Sequence, residues 1–299
     1  MNIAKLTAAI KDVGGIPVAR LLPKGSRRTI GAWCFLDHAG PAEFADDSDG
    51  LQVGAHPHTN LQTFTWMLEG EVQHQDSLGF RQLIRPKQVN LMTAGTGDTR
   101  GIAHTEQTPD GIKSLHAVQL WIALPMNQDI KPDFQHYPDL PEWEADGVRH
   151  ILTTGSFDGH HAPTAQYSPL LGVDMQFAQT GSREIKAQAG WEYGVLVIAG
   201  QVRIGGQSFA ADELAFIEAN GADRFAIEAD AGSHIMLLGG EPLPHPTLIW
   251  WNFVADSRDA LCRAVSDWNC LSPRFGKEID LEGSKLTRLL APDVPDGLK

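Results

Sequence analysis

The segment "GAHPHTNLQTFTWMLEGEV", Gly54 to Val72, sets two histidines either side of a proline, ahead of an apolar run that closes on Glu-Gly. Pro57 disfavours the helical region at His56 and holds it extended. In an extended chain residues i and i+2 project to one face, so His56 and His58 aim two imidazoles in one direction. The run behind them, rich in Thr, Phe, Trp and Met, reads as a strand ended by Gly70. One such pair is weak information in a chain with 12 histidines. A second pair gives it weight. In "GIAHTEQTP", His104 and Glu106 again stand two apart in a segment that reads as a strand. Two extended segments, each with two same-facing donors, can supply four groups to one barrel interior. Three neutral imidazoles and a carboxylate suit Fe(II), Mn(II), Ni(II) or Zn(II) by ligand type.

Outward from that stretch, most segments are short, with β-branched and aromatic residues between Gly, Pro, Asp and Asn. "RQLIRP", "QVNLMTAG", "LHAVQLWIALP", "YGVLVIAG" and "DELAFIEANG" are examples. This spacing predicts an all-β chain of sandwich or barrel type. One stretch has a helical period instead. In "ADSRDALCRAVSDWNCL", Leu261, Ala264, Val265 and Trp268 fall on one face after a capping-type Asp256, which predicts a short C-terminal helix. "WMLEGEVQHQDSLG" (66–79) resembles "LVIAGQVRIGGQSF" (196–209), Gly70 matching Gly200 and Val72 matching Val202. A hairpin recurring at that distance predicts two similar β-domains, split within the Pro-rich segment 124–143. The same displacement carries His56 to Lys186 and His58 to Gln188, so the second copy has no imidazoles there.

The 299 residues are 42% hydrophobic and 20% charged, and no apolar run approaches the ~18 residues of a membrane span. The N-terminal "MNIAKLTAAIKDVGG" has no signal-peptide core. Three cysteines, Cys34, Cys262 and Cys270, without a C-x-x-C, argue for a reducing compartment, and a cytoplasmic protein is expected. The formal charge of −13, from 37 acidic and 24 basic residues, opposes direct contact with nucleic acid, and "KGSRR" (24–28) is too short to act as a clamp. A monomer is expected.

These residues carry a resemblance. "LDHAGP" (36–41), "HPH" (56–58), "LEGEVQHQDSLG" (68–79), "MTAGTG…GIAHTE" (92–106), "LHAVQLWIALP" (115–125) and "GEPLPHPTLIWWNFV" (240–254) together resemble the pirin family, within the cupin superfamily. The resemblance implies an all-β fold of two cupin-type antiparallel β-barrels, a bicupin, with a short C-terminal helix. It places an N-terminal metal-binding domain at 1–130 and a C-terminal cupin-like domain without a metal site at 131–299. It implies one divalent metal ion, Fe(II) foremost with Zn, Mn or Ni as alternatives, on His56, His58, His104 and Glu106. The chain departs from the family at Gln62, where a Glu is usual, at Lys87 in place of Gly, and in a longer turn at 96–101.

Some pirins cleave flavonols such as quercetin with O2, so the resemblance implies a quercetin 2,3-dioxygenase acting on a flavonoid-type small molecule. Glu106, the one carboxylate of the set, would be both ligand and catalytic base. The alternative from the same family is a non-catalytic regulator whose iron oxidation state governs binding of a protein partner. His74 in "VQHQD" reads equally as lining the pocket or as an exposed strand residue. "DGHHAP" (158–163) reads as a polar loop, Asp37 and His38 as turn formers, and Trp250 and Trp251 as core aromatics.

Overall fold

The computed structural model describes residues 1–24, 29–244 and 247–298. Most of the "KGSRR" run lies outside the described residues. One strand order is used twice. A four-stranded sheet runs Gln52–His58, Ile102–Gln107, Val72–Asp76, Arg81–Ile84, and a seven-stranded sheet runs Asp133–Tyr137, Val89–Thr93, Leu61–Gly70, Ser114–Ala123, Trp33–Glu43, Ile16–Leu22, Ala9–Val13. The same pattern recurs as Gly181–Lys186, Arg224–Ala229, Gln201–Ile204, Gln207–Ala210, with Asn2–Thr7, Glu213–Glu218, Glu192–Ala199, His234–Gly240, Leu170–Phe177, Val148–Thr154, Glu142–Ala145 beside it. The expected pair of barrels is present, and the duplicated hairpin read at Gly70 and Gly200 belongs to it.

Both glycines hold a φ of +78°. A Cβ on Gly70 would stand 2.0 Å from the Ser114 carbonyl oxygen, so backbone conformation and space both demand glycine there. Lys87, where the resemblance expects Gly, keeps the left-handed backbone at φ +65°.

By contacts the chain divides into Met1–Lys11, Ala19–His38 and Asp139–Pro242 on one hand, and Asp12–Val18, Ala39–Pro138 and Leu243–Lys299 on the other. This grouping differs from a linear division at 130/131, because Met1–Lys11 and Ala19–His38 go with the later half and Leu243–Lys299 with the earlier one. Asn2–Thr7 pairs with Glu213–Glu218, at the sheet edge that Asp133–Tyr137 occupies beside Val89–Thr93 in the first barrel. The C-terminal helix (α1, Arg258–Asn269) belongs with the histidine-bearing strands, not with the second barrel. Its apolar face, Leu261, Ala264, Val265 and Trp268, packs with Phe253, Phe275, Ala55 and Ala103. Ala55 and Ala103 alternate along their strands with His56 and His104, so the helix braces the outer face of the strands whose inner face carries the imidazoles. The N-cap is Ser257 rather than Asp256: its hydroxyl accepts from the Ala260 N–H.

The two sheets of the first barrel meet through Met67, Val72, Ile84, Leu115 and Ala117. The second barrel is filled by Leu152, Val173, Met175, Val195, Ile227 and Leu237 among others. Its strand pair at the position of the histidine strands contributes Ile185, Phe225 and Ile227 to that core, while Lys186 and Gln188 are exposed.

Candidate metal centre

His56 and His58 project from one strand and His104 from its antiparallel neighbour, where His104 pairs directly with His56. Cross-strand partners share a face, so pairing and the i, i+2 rule bring three rings together. Their ring centroids lie 4.3 to 5.0 Å apart, and one nitrogen of each falls within 4.8 Å of the others. Between His58 and His104 the Nε2 atoms approach to 3.1 Å.

Which nitrogens carry protons follows from their partners. His56 Nδ1 faces the Gly54 carbonyl oxygen at 2.9 Å, and His58 Nδ1 faces that of Asn252 at 3.1 Å. A carbonyl only accepts, so both Nδ1 atoms donate and both Nε2 atoms are bare. His104 Nδ1 lies 3.2 Å from His74 Nδ1, and His74 Nε2 lies 3.1 Å from Asp76 Oδ2. The Asp76 carboxylate accepts from His74 Nε2–H, the one proton of a neutral His74. That leaves His74 Nδ1 to accept from His104 Nδ1–H, and His104 Nε2 is bare as well.

Three lone pairs therefore converge in a buried place. Burial holds His56 down to about 4 and His58 and His104 well below the ordinary imidazole range, with the neighbouring imidazoles adding to the effect, so protons do not fill the gap at neutral pH. Two bare nitrogens at 3.1 Å repel unless a proton or a metal cation lies between them. Metal–nitrogen bonds of about 2.1 Å at right angles span about 3 Å, so the donor set fits one first-row divalent ion.

Glu106 stands outside the mutual circle of the three imidazoles. It lies on the same face as His104, directly across from His74 on the next strand. Among the described residues its carboxyl group has no hydrogen bond or ion pair, and burial alone lifts it to about 7. A bulge lies between His104 and Glu106 in the pairing with Gln52–His58. There Gly54 and Ala55 together oppose Thr105, and the bulge turns the Gly54 carbonyl onto His56.

The remaining sequence readings fare unevenly. Gln62 pairs with Thr93 and Ile122, whereas Thr63 pairs with Met92 and Trp121. Trp121 packs its ring 5.2 Å from His58, so the Thr63 face looks at the histidines and Gln62 looks away, bonded through Nε2 to Thr93. The departure from Glu at 62 therefore does not touch the imidazoles. The longer 96–101 turn is tied down: Gly97 N–H donates to Asn60, Arg100 to the Ile130 carbonyl, and Arg274 to the Arg100 carbonyl.

His74 is buried, stacked on Phe134 at 4.4 Å, which removes the exposed-strand reading. Asp37 and His38, expected to form a turn, lie instead inside the strand Trp33–Glu43, where Asp37 forms a two-point pair with Arg20 and His38 pairs with Asp212. His160 stacks on Trp143, and His161 Nδ1 lies 2.7 Å from the Ser156 hydroxyl, in a short hairpin of the other unit. Trp250 and Trp251 pack at the edge of the helix cluster. Sequence reasoning missed Asn252, whose carbonyl reaches His58 across a turn that Trp251 makes at φ +51°.

Two antiparallel barrels of one topology, a buried three-histidine pocket in the first and hydrocarbon in the second, define a two-domain cupin with a candidate mononuclear metal centre. Residues 15–122 match the family described as Pirin, and residues 172–275 match the Pirin C-terminal cupin domain. The chain belongs to the pirin family. It is 47% identical over 295 residues to the "Putative quercetin 2,3-dioxygenase PA1205" of Pseudomonas aeruginosa, covering 98% of this chain and 91% of that protein. A pirin-like protein of Caulobacter vibrioides is 35% identical over 267 residues, covering 86% of this chain and 90% of that one. The solved structure of a quercetin 2,3-dioxygenase from Acinetobacter baumannii superposes with a TM-score of 0.92 at 43% identity, covering 99% of this chain and 97% of that one. No described helix is long and apolar enough to cross a membrane.

Proposed function

We propose that this chain is a mononuclear metal-dependent oxygenase of the flavonol class, a quercetin 2,3-dioxygenase, with one Fe(II) held by His56, His58, His104 and Glu106. The observation that carries the reading is the convergence of one nitrogen from each of three buried imidazoles, while the Nδ1 of each faces a partner of its own. When bound, the metal would supply a Lewis acid that holds a chelating 3-hydroxy-4-keto unit and an electron-rich centre for dioxygen.

The chain's own residues do the rest. Gly54 and Asn252 fix the ring orientation of His56 and His58 through their carbonyls. Glu106 has no competing side-chain partner, so its carboxylate would be available both to the metal and to the flavonol hydroxyl proton. Trp121 and Phe134 pack their rings on His58 and His74, so the surroundings of the imidazoles are apolar.

The test is anaerobic reconstitution with Fe(II), followed by quercetin and air. Flavonol absorbance should fall in the wild type, and both metal and turnover should be lost in His58→Ala. A fully metallated protein that leaves quercetin intact would overturn the oxygenase reading. Equal stoichiometric metal in wild type and His58→Ala would overturn the ligand set.

A further inference from the structure

The three imidazoles do not fix their proton positions in the same way. His56 and His58 donate to backbone carbonyls, which can only accept. His104 instead meets another imidazole, which can accept or donate. Its proton arrangement is therefore decided one residue further out. His74 is buried and held on both sides: its ring stacks on Phe134 at an interplanar angle of 16°, and its Nε2 faces Asp76 Oδ2.

Asp76 is itself tied in place. Its Oδ1 accepts from the Leu78 and Phe80 N–H groups at 2.9 and 3.0 Å, which leaves Oδ2 for His74. The strand register sets the geometry, because His104 pairs with Asp76, and Glu106 with His74, across the same ladder.

We infer that Asp76 and His74 are positioning residues that hold His104 as its Nδ1–H tautomer and so keep His104 Nε2 bare for a metal ion. The inference rests on the proposed metal centre. With a single proton on His74, an Asp–His–His chain of this kind has one consistent direction. The carboxylate takes the His74 Nε2 proton, His74 Nδ1 takes the His104 Nδ1 proton, and the lone pair at the far end points into the pocket. Reversing the first link reverses the last. If the group at 76 donates to His74 Nε2, then His74 Nδ1 carries the proton, His104 Nδ1 must accept it, and His104 Nε2 turns a proton towards the other two rings.

Asp76→Asn makes that reversal with almost no change of shape. The asparagine oxygen can still accept from Leu78 and Phe80, while its amide NH2 faces His74. In metal-free protein, nitrogen NMR of ring-labelled histidine should show His104 as Nδ1–H in the wild type and as Nε2–H in Asp76→Asn. Chelator-competition titration with Zn(II) or Fe(II) should then show metal binding weakened about 10–100-fold, the range expected for loss of a partner behind a ligand. The thermal midpoint of the metal-free protein should stay close to wild type.

Two further variants hold if Asp76→Asn fails to fold. His74→Gln, whose amide can donate to Asp76 and accept from His104, should bind metal nearly as the wild type does. His74→Phe, which keeps the stack on Phe134 but accepts nothing, should bind it weakly. The outcomes separate the two ideas. Unaltered tautomer and affinity in Asp76→Asn, with binding still abolished in His58→Ala, would overturn the relay and leave the metal centre standing. Undiminished binding in His58→Ala would overturn the metal centre itself.

Discussion

Gln62 and Glu106 show how much a single side chain's meaning depends on the face it takes. The sequence marks Gln62 as a departure near the ligand strand, but its phase along the Leu61–Gly70 strand turns it from the imidazoles. Gln62→Glu should therefore restore the family residue without changing metal content or turnover. It should destabilise the fold by about 2–4 kcal/mol, read by urea denaturation, because a carboxylate would be buried with only the Thr93 hydroxyl beside it. Glu106 is the opposite case. Without metal its folded value of about 7 lies above the ordinary 4.5, so the native state favours the protonated form. That preference is fully present below 4.5 and is lost as pH rises through 7. His56 works the other way: held to about 4 against 6.5, it favours the fold above 6.5 and loses that contribution as pH falls towards 4. In the metal-free protein the two slopes oppose each other between these limits. Glu106→Gln removes one of them. At pH 8 the metal-free variant should be more stable than wild type by on the order of 2 kcal/mol, and at pH 4.5 it should show almost no advantage. The paired histidines were legible in the sequence because the i, i+2 rule needs only local geometry. The relay through His74 was not, because it depends on the register of Val72–Asp76 against Ile102–Gln107, which no local pattern encodes.

At the scale of elements, the C-terminal segment braces the ligand strands from behind, and the sequence allows it by keeping that side small. Gly54, Ala55, Gly101 and Ala103 lie where α1 and its flanks approach. A Cβ on Gly54 would stand 1.9 Å from the Thr287 carbonyl oxygen, which Ala55 N–H uses as its acceptor, and one on Gly101 would stand 2.5 Å from the Phe275 ring. Gly54→Ala must push backbone rather than a flexible side-chain tip. A loss of about 2–4 kcal/mol in thermal or urea unfolding is expected, along with weaker metal binding, since the Gly54 carbonyl also orients His56. The helix itself was readable from its period, and its cap was misplaced by one residue. Asp256 and Ser257 both have capping chemistry, and only the backbone decides which stands at the end; Ser257 does, with φ −144° and its hydroxyl on Ala260 N–H. Ser257→Ala should cost about 1 kcal/mol, while Asp256→Ala should cost a few tenths at most, a contrast that unfolding curves resolve.

Across the whole molecule the two barrels repeat one strand order while differing in what fills them. The duplication showed in the sequence at Gly70 and Gly200 because a left-handed turn accepts few residues, and both sites keep the same φ. The placement of Asn2–Thr7 and of α1 did not show, because edge pairing and helix docking are set by partners far away in sequence. The contrast between histidines in one core and Ile185, Phe225 and Ile227 in the other gives the metal a local footprint. A ligand that binds only the folded site stabilises it by RT ln(1 + [L]/Kd), about 2.7 kcal/mol at a hundredfold excess over Kd. That stabilisation should reach only the segments whose opening destroys the site. Hydrogen exchange with and without stoichiometric metal should therefore show slower exchange in Gln52–His58, Val72–Asp76 and Ile102–Gln107, reversed by a chelator. Exchange in Gly181–Lys186 and Arg224–Ala229 should be unchanged. Equal slowing in both barrels would mean that the cation acts on the molecule as a whole rather than through the three imidazoles.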